Sequence, residues 1–377
     1  MDRKLAHIEQ ILSLSPIEGA DKIEVATVLG WQCVVAKTDG FKVGDKVIYV
    51  EVDSVMPEKP EYEFLRDRKF RVKTIKLRGQ VSQGLILSLP KDWTVKRNDK
   101  CSIGSDVTEE LGITKYLSPF EQSELQREEE KIKLEKNRLK KFMMRYSWFR
   151  KLFLTKKQKS GFPYWVSKTD EERIQNIPQV LHQFADNEVY VTEKIDYQSV
   201  TFTGKMIPNT IPIIGKFLPK KFKFIVCSRN FVNNSKNSLY QQIANKYSIE
   251  KLLIREKYNS LTIQGEQGAP QVQGNKYKLN TTKMWVFNII DYVTNYFYDY
   301  DEITKFCGDN KLERVPLIKK CKLSELGSTV QELVEFSKGK SVLADIPREG
   351  IVVRCIENGK KLLSFKVINP DFLLKFD

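Results

Sequence analysis

Through its first 90 residues the chain alternates apolar and polar positions with the period of two that a half-buried strand requires. KIEVATV (22–28), WQCVVAK (31–37), KVIYVEV (46–52), FRVKTIKLRG (70–79) and QGLILSL (83–89) read as five strands. Turn chemistry separates several of them, as in TDGFKVGD (38–45), where Gly and Asp suit tight reversals. Beyond Gly161 the pattern mixes. YVTEK, VTFTGK, FKFIVCSRNF, LTIQGEQ, MWVFNIID, GIVVRCI and KLLSFKV read as further strands, and YQQIANKYSIEKLLIREKY (240–258) and SELGSTVQELVEFSKG (324–339) read as helices.

These patterns predict an α+β chain in three parts. Residues 1–110 hold short strands spaced as in a small Greek-key barrel of the OB type. Residues 161–377 form an α+β domain. Between them, 111–160 is a basic helical linker. Its acids come first (Glu121, Glu124, Glu128, Glu129, Glu130) and its bases follow (Lys131 to Lys159), the order a helix macrodipole favours. Leu125, Ile132, Leu139 and Met143 give it an apolar face. A solvated helix and a phosphate-contacting arm are both open readings; a membrane-surface role for YSWFRKLFLTKK (146–157) fits less well. KFLPKKFK (216–223) is a basic, aromatic loop or hairpin.

At 377 residues the chain is long enough for two cores. Its 63 Lys and Arg against 48 Asp and Glu leave a net charge of +15, which points to a polyanion, nucleic acid above all, with a solvated lysine-rich surface as the bland rival. Lys73, Lys76 and Arg78 would supply a nucleic-acid-binding face on the barrel, or simply a solvated strand face. No run approaches the roughly 18 apolar residues of a membrane span, and MDRKLAHIEQ has no secretory core, so an intracellular protein without a membrane partner is expected. Six scattered cysteines without a CxxC pair argue against a zinc site and against a disulfide framework. With only His7 and His182, catalysis must run on Lys, Asp, Glu and Arg.

One stretch concentrates those types. YVTEKIDYQ (190–198) puts Lys194 and Asp196 two apart where a strand-like run ends, so an extended backbone would point both to one face. Alone, such a tetrapeptide arises often by chance. An ordered series follows it: Ser228-Arg229-Asn230, Gly265-Glu266, Trp285-Val286-Phe287, Glu349-Gly350-Ile351-Val352-Val353-Arg354 and Phe365-Lys366-Val367. This order resembles the motifs of the covalent nucleotidyltransferases, the superfamily of ATP-dependent ligases and mRNA capping enzymes. GFPYWVSKTDEERIQNIP (161–178) is similar to the lead-in found in RNA ligases, and KTIKLRGQVSQGL (73–85) to the barrel of RNA ligases with an N-terminal OB domain, the fifth RNA ligase family. The chain runs eleven residues past Lys366, so the resemblance implies a barrel in front and none behind.

The resemblance implies an ATP-grasp-like ligase adenylation domain, acting as a monomer, that uses ATP and Mg²⁺ or Mn²⁺ to join an RNA 3′-OH to a 5′-phosphate at a nick in a duplex. Lys194 would be the nucleophile, and Asp196, Glu266 and Glu349 the metal carboxylates. Phe287 would stack on adenine, with Trp285 of the same parity as its rival. Arg229 would grip a phosphate of ATP or RNA, Lys366 would neutralise the α-phosphate, Ser199 would lie near the ribose, and Glu193 would place the base through its backbone. A lysine is neutral in only about one molecule in a few thousand at pH 7, so a neighbouring cation, Lys366 or the metal, is expected to depress the pKa of Lys194. Two positions depart from the family pattern: Tyr197 stands where most relatives have glycine, and Ser364-Phe365-Lys366 replaces Lys-x-Lys. The alternative reading is a catalytically degenerate scaffold that binds RNA or single strands.

Overall fold

The computed structural model describes residues 4–90, 93, 101–118, 121–123, 125–126, 162–209, 219–233, 235 and 237–376. It divides into two compact units, Met1–Lys159 and Ser160–Asp377. The expected linker helix, apart from 121–123 and 125–126, and residues 216–218 of the basic hairpin lie outside the described residues.

In the first unit the strands are β1 (Ala6–Ile17), β2 (Ala20–Val28), β3 (Trp31–Ala36), β4 (Lys46–Val50), β5 (Ser54–Val55), β6 (Thr74–Leu77), β7 (Gln80–Gln83), β8 (Leu85–Ser88) and β9 (Thr114–Lys115). Five of them form one antiparallel sheet in the order β3-β2-β1-β4-β8. The long β1 serves two neighbours in turn. Residues Ala6 to Gln10 pair with β4, and from Ile11 onward it pairs with β2. That exchange curls the sheet into an OB-type half-barrel. Its interior is filled by Trp31, Tyr49, Ile11 and Val28, and a second cluster of Ile8, Ile48, Met56 and Phe70 lies on the other side.

The expected strands at 22–28, 31–37 and 46–52 coincide with β2, β3 and β4. The longest strand, β1, was not among those expected, although Ala6-His7-Ile8-Glu9 and Leu12-Ser13-Leu14-Ser15 each alternate; the alternation is interrupted at Gln10-Ile11, where the strand passes from β4 to β2. The expected strand at 70–79 forms only as β6, since Lys69 and Phe70 take left-handed φ values of 52° and 57°.

The second unit contains β10 (Glu172–Arg173), α1 (Val180–Gln183), β11 (Glu188–Lys194), β12 (Gln198–Ile207), β13 (Lys221–Cys227), α2 (Leu239–Lys246), α3 (Ile249–Leu253), β14 (Leu261–Gly268), β15 (Lys283–Asp291), β16 (Tyr296–Phe297), α4 (Tyr300–Asp309), β17 (Glu313–Arg314), β18 (Leu317–Lys322), α5 (Val330–Ser337), β19 (Gly350–Glu357), β20 (Lys360–Ile368) and α6 (Pro370–Phe376). They build two sheets, β10-β20-β19-β11-β18 and β13-β12-β14-β15-β16, with β17 paired to β15. Each sheet buries one face under helices. Ile243, Leu253, Ile303 and Phe306 cover Phe202, Ile263 and Val286, while Val180, Val330 and Leu333 cover Val191, Val353 and Phe365. The other faces carry polar residues and approach each other: Arg354 of β19 donates through Nη1 to the Phe287 carbonyl of β15 at 3.1 Å.

The expected helix at 240–258 is broken into α2 and α3 at Ser248, whose φ is 52°. The one expected at 324–339 begins at Val330, where Thr329 and Glu332 cap each other's backbone amides. All six cysteines are buried and unpaired. Among the described residues no helix is long and apolar enough to cross a membrane.

A buried acid-base cluster fastens the curled sheet. His7 Nδ1 lies 2.7 Å from Glu9 Oε1 and its Nε2 lies 3.6 Å from Glu51 Oε1. Burial lowers the His7 pKa, but hydrogen bonds and charge from Glu51 and Glu9 outweigh it and raise it to about 9. Protonated His7 therefore stabilises the fold fully below its unfolded value of 6.5, and that contribution is lost as the pH rises through about 9. We expect alkaline titration from pH 6.5 to 9.5 to cost on the order of 3 kcal/mol. Denaturant unfolding of the full chain, followed by a probe in the first unit, checks this. A wild-type profile as flat as that of His7→Gln would refute it.

Candidate active site

β11 places its residues by strand parity. Val189 and Val191 enter the helix-covered core, so Tyr190, Thr192 and Lys194 face the polar side. Lys194 is the last residue of β11 and pairs with Gly350, the first of β19. Gly350 is required by close approach: a Cβ there would lie 2.2 Å from the Val367 carbonyl oxygen of β20. That tight packing brings the preceding residue, Glu349, to the amine, with Nζ 2.5 Å from Glu349 Oε1.

Burial lowers the pKa of Lys194, but Glu349, Glu266 and Asp196 together outweigh it, and the net displacement is upward. The expectation of a cationic surrounding is corrected here. The amine sits among carboxylates, and Lys366 instead lies 3.8 Å from Asp170 while its charge lowers Glu349. Without nucleotide the resting nucleophile is an ammonium.

The acids respond in kind. Burial, opposed by Lys194 and reinforced by Glu349 and Asp196, pushes Glu266 up to about 8. Burial also raises Glu349, with Lys194 opposing and Asp196 adding to the rise. Glu266 stands on β14, opposite Ser199 and Trp285. Among the described residues no group of three acidic, His or Cys side chains converges into a ready-made metal cage. Glu349 Oε2 is nevertheless buried without a hydrogen-bond partner. A ligand oxygen facing a cluster of excess negative charge fits a divalent cation that arrives with a phosphate, the usual manner of Mg²⁺.

Asp196 lies past the strand end rather than on it. Its carboxylate pairs with Lys276, and its backbone N–H donates to Tyr277 Oη at 3.0 Å. Lys276 Nζ also lies 5.1 Å from the ring centroids of both Phe372 and Phe376 on α6. Tyr197, the departure from glycine, is buried. It stacks on Trp285 at 6.2 Å and 8°, lies 5.1 Å from Tyr277, and donates to Asn275 Oδ1 at 3.2 Å. Room for its ring comes from Gly268, where a Cβ would lie 2.5 Å from Tyr197 Cε2. Residues 275–277 are thus tied to 196–197 by three side-chain contacts and a tilted aromatic contact.

The register of β14 and β15 slips between Gln264 and Gly265, which leaves Phe287 as the β15 residue without a partner across the ladder. Such a bulge re-aims a side chain. Phe287 is half-buried, whereas Trp285 is committed to the stack with Tyr197, which separates the two aromatic candidates. Arg354 lies 5.6 Å from the Phe287 centroid and pairs with Glu171 at 2.9 Å. Arg229 pairs with Asp170. Ser199 Oγ is 2.8 Å from Thr169 Oγ1. Glu193 donates its backbone N–H to the Pro316 carbonyl, and its carboxylate accepts from Val342 N at 2.8 Å.

In the first unit, Lys76 and Arg78 are exposed on the β6–β7 hairpin and its turn, while Lys73 is half-buried ahead of the strand; the three do not share one strand face. Sequence reasoning missed Asp170, Glu171, Lys276 and Arg354. Asp170 and Glu171 lie inside the quoted lead-in and Arg354 ends GIVVR, so proximity to a motif was the available signal. Lys276 had none.

An OB-fold domain model matches residues 5–89, and an RNA ligase model matches residues 187–368. Among solved structures, Naegleria gruberi RNA ligase with PPi is 28% identical over 99% of this chain and 98% of that one, with a TM-score of 0.75. A mutant of that enzyme with ATP and Mn is 26% identical over 99% of both chains at the same TM-score. Another, with AMP and Mn, is 28% identical over 99% of both chains, also at 0.75. No curated protein matches the chain.

The clasp around Tyr197 predicts a local effect. Tyr197→Gly should cost about 3–5 kcal/mol, as removal of a buried aromatic does, and should speed amide exchange across 269–280 while α2 and α3 stay protected. Tyr197→Phe, which loses one hydrogen bond, should cost about 1 kcal/mol. Unfolding curves and hydrogen exchange read both, and unchanged exchange at 269–280 in Tyr197→Gly would remove the clasp.

Proposed function

The chain belongs to the RNA ligase family, an ATP-dependent nucleotidyltransferase with an OB-fold domain ahead of an α+β ligase domain, and on that premise we propose that it joins RNA 3′-OH and 5′-phosphate ends at nicks in a duplex, as an intracellular monomer using ATP with Mg²⁺ or Mn²⁺. The observation that carries this reading is the Lys194 amine 2.5 Å from Glu349 and surrounded by Glu266 and Asp196. The relatives found with ATP and Mn, with AMP and Mn, and with PPi are consistent with that chemistry.

Lys194 must lose a proton before it can attack. Glu349 is the acceptor in reach, and its upward-shifted pKa makes it a better base than an ordinary carboxylate. The neutral amine attacks the α-phosphorus of ATP. The N–P bond forms, the P–O bond to pyrophosphate breaks, the first proton resides on Glu349, and the second, shed by the nitrogen as the phosphoramidate forms, passes to pyrophosphate or solvent. When bound with the nucleotide, a divalent cation held by Glu349, Glu266 and Asp196 would supply charge neutralisation at the phosphates. A 5′-phosphate oxygen of the RNA then attacks the adenylate phosphorus, the N–P bond breaks, and Lys194 recovers its proton. The 3′-OH attacks the 5′-phosphorus last, its proton goes to solvent, and AMP leaves.

Phe287, aimed by its bulge, would stack on adenine, with Glu193 placing the base through the backbone and Ser199 near the ribose. Arg229 and Lys366, gathered by Asp170, would engage phosphates. Lys73, Lys76 and Arg78 would contact the RNA from the OB-fold domain.

Incubation with α-labelled ATP and Mg²⁺ or Mn²⁺ should leave acid-labile label on the wild type and none on Lys194→Ala. Glu349→Gln should slow labelling by about 100-fold or more, the scale of general acid–base catalysis. Because the charges around Lys194 raise its pKa, the labelling rate should climb with pH across the neutral and alkaline range. Absence of label in the wild type with both metals overturns the reading. Equal sealing of nicks with ribose and deoxyribose 3′ ends overturns the RNA assignment.

A further inference from the structure

Away from the catalytic end, the polar face of β12 leads to an aromatic ring held out in solvent. Tyr164 is the most exposed large apolar side chain among the described residues, at 86%. It is nonetheless fixed in place. Lys205 Nζ donates to Tyr164 Oη at 3.1 Å and lies 5.3 Å and 4.9 Å from the Tyr164 and Trp165 centroids. The two rings meet edge to face at 5.0 Å. Trp165 Nε1 in turn donates to Thr203 Oγ1 of β12.

Lys205 pairs with Lys223 across β12 and β13, and Ile207 with Lys221. By parity Lys205, Lys221 and Lys223 therefore point to the same face. None of the three forms an ion pair with a described residue, and β13 is an edge strand. The same face continues toward the nucleophile. Ser199, Thr201 and Thr203 lie on it, and Ser199 pairs with Glu266. Six residues of strand, about 20 Å, separate Ser199 from Lys205.

We propose that Tyr164, Trp165, Lys205, Lys221 and Lys223 form a platform that holds a single-stranded extension of the RNA leaving the active site, with Tyr164 stacking on an unpaired base and the lysines meeting phosphates. Edge-strand lysines also deter sheet-to-sheet aggregation, but that role needs charge alone. It does not need an exposed ring pinned by a cation. Stacking rings interleaved with unpaired cations are the elements of a sequence-tolerant nucleic-acid site. This proposal rests on the ligase reading and names where its substrate lies.

Binding of a nicked RNA duplex that carries a single-stranded extension, measured by fluorescence anisotropy over a salt series, tests it. Combined Lys205→Met, Lys221→Met and Lys223→Met should weaken binding at least tenfold and flatten the slope of log K against log salt by about 2, at roughly 0.7–0.9 per phosphate contact. Tyr164→Ala should weaken binding about tenfold with the slope unchanged, and Tyr164→Phe should bind like the wild type. Formation of lysyl–AMP from ATP alone should proceed equally in every variant, which also confirms that each is folded and reads the ligase assignment separately. Wild-type affinity in the lysine variant overturns the platform. Wild-type affinity in Tyr164→Ala overturns the stacking role and with it the proposal.

Discussion

The second unit is organised around an amine that must be held close to carboxylates without being trapped by them. Lys194 and Glu349 meet because β11 and β19 pair in a register that ends at Gly350, and that register exists only because nothing larger than hydrogen fits against the Val367 carbonyl. The pair is stable at rest, since each partner satisfies the other's charge in a largely dehydrated setting. Neighbouring acids raise the proton affinity of both partners, while burial raises that of Glu349 and lowers that of Lys194. The same concentration of negative charge that keeps the lysine protonated is what an incoming cation and a phosphate would redistribute.

That arrangement depends on two sheets whose polar faces meet. Arg354 reaches from β19 to the backbone of β15 while paired with Glu171, so one buried guanidinium ties the nucleophile's sheet to the strand that presents Phe287. Removing one partner of such a pair is costly because it strands a buried charge. Helices α1, α2, α3, α4 and α5 lie outside, where they bury the opposite faces.

Much of this was legible because strand parity and motif order are local properties. Lys194 at a strand end, Glu266 beside a glycine and Glu349 before Gly350 are visible as letters, and β2, β3 and β4 announce themselves by alternation. What was hidden depends on partners distant in sequence. The alternation of β1 is interrupted at Gln10-Ile11, and its first residues bury His7 and Glu9 as well as Ala6 and Ile8. The electrostatic surrounding of Lys194 was misjudged because the sign of a pKa displacement depends on which of several charged residues fold closest. Lys276 reaches Asp196 across 80 residues, and no short-range pattern encodes that contact. The break at Ser248 likewise comes from a single left-handed residue within an otherwise helical composition.

The tyrosine at 197 and the glycine at 268 form a lock whose halves cannot be exchanged singly. A side chain at 268 would occupy the volume the ring now fills, and a glycine at 197 would leave that volume empty. The two positions are therefore coupled, and exchanging either alone costs more than exchanging both. A chimera that exchanges only one of the two segments carries half of the lock, and its stability depends on what the other position supplies.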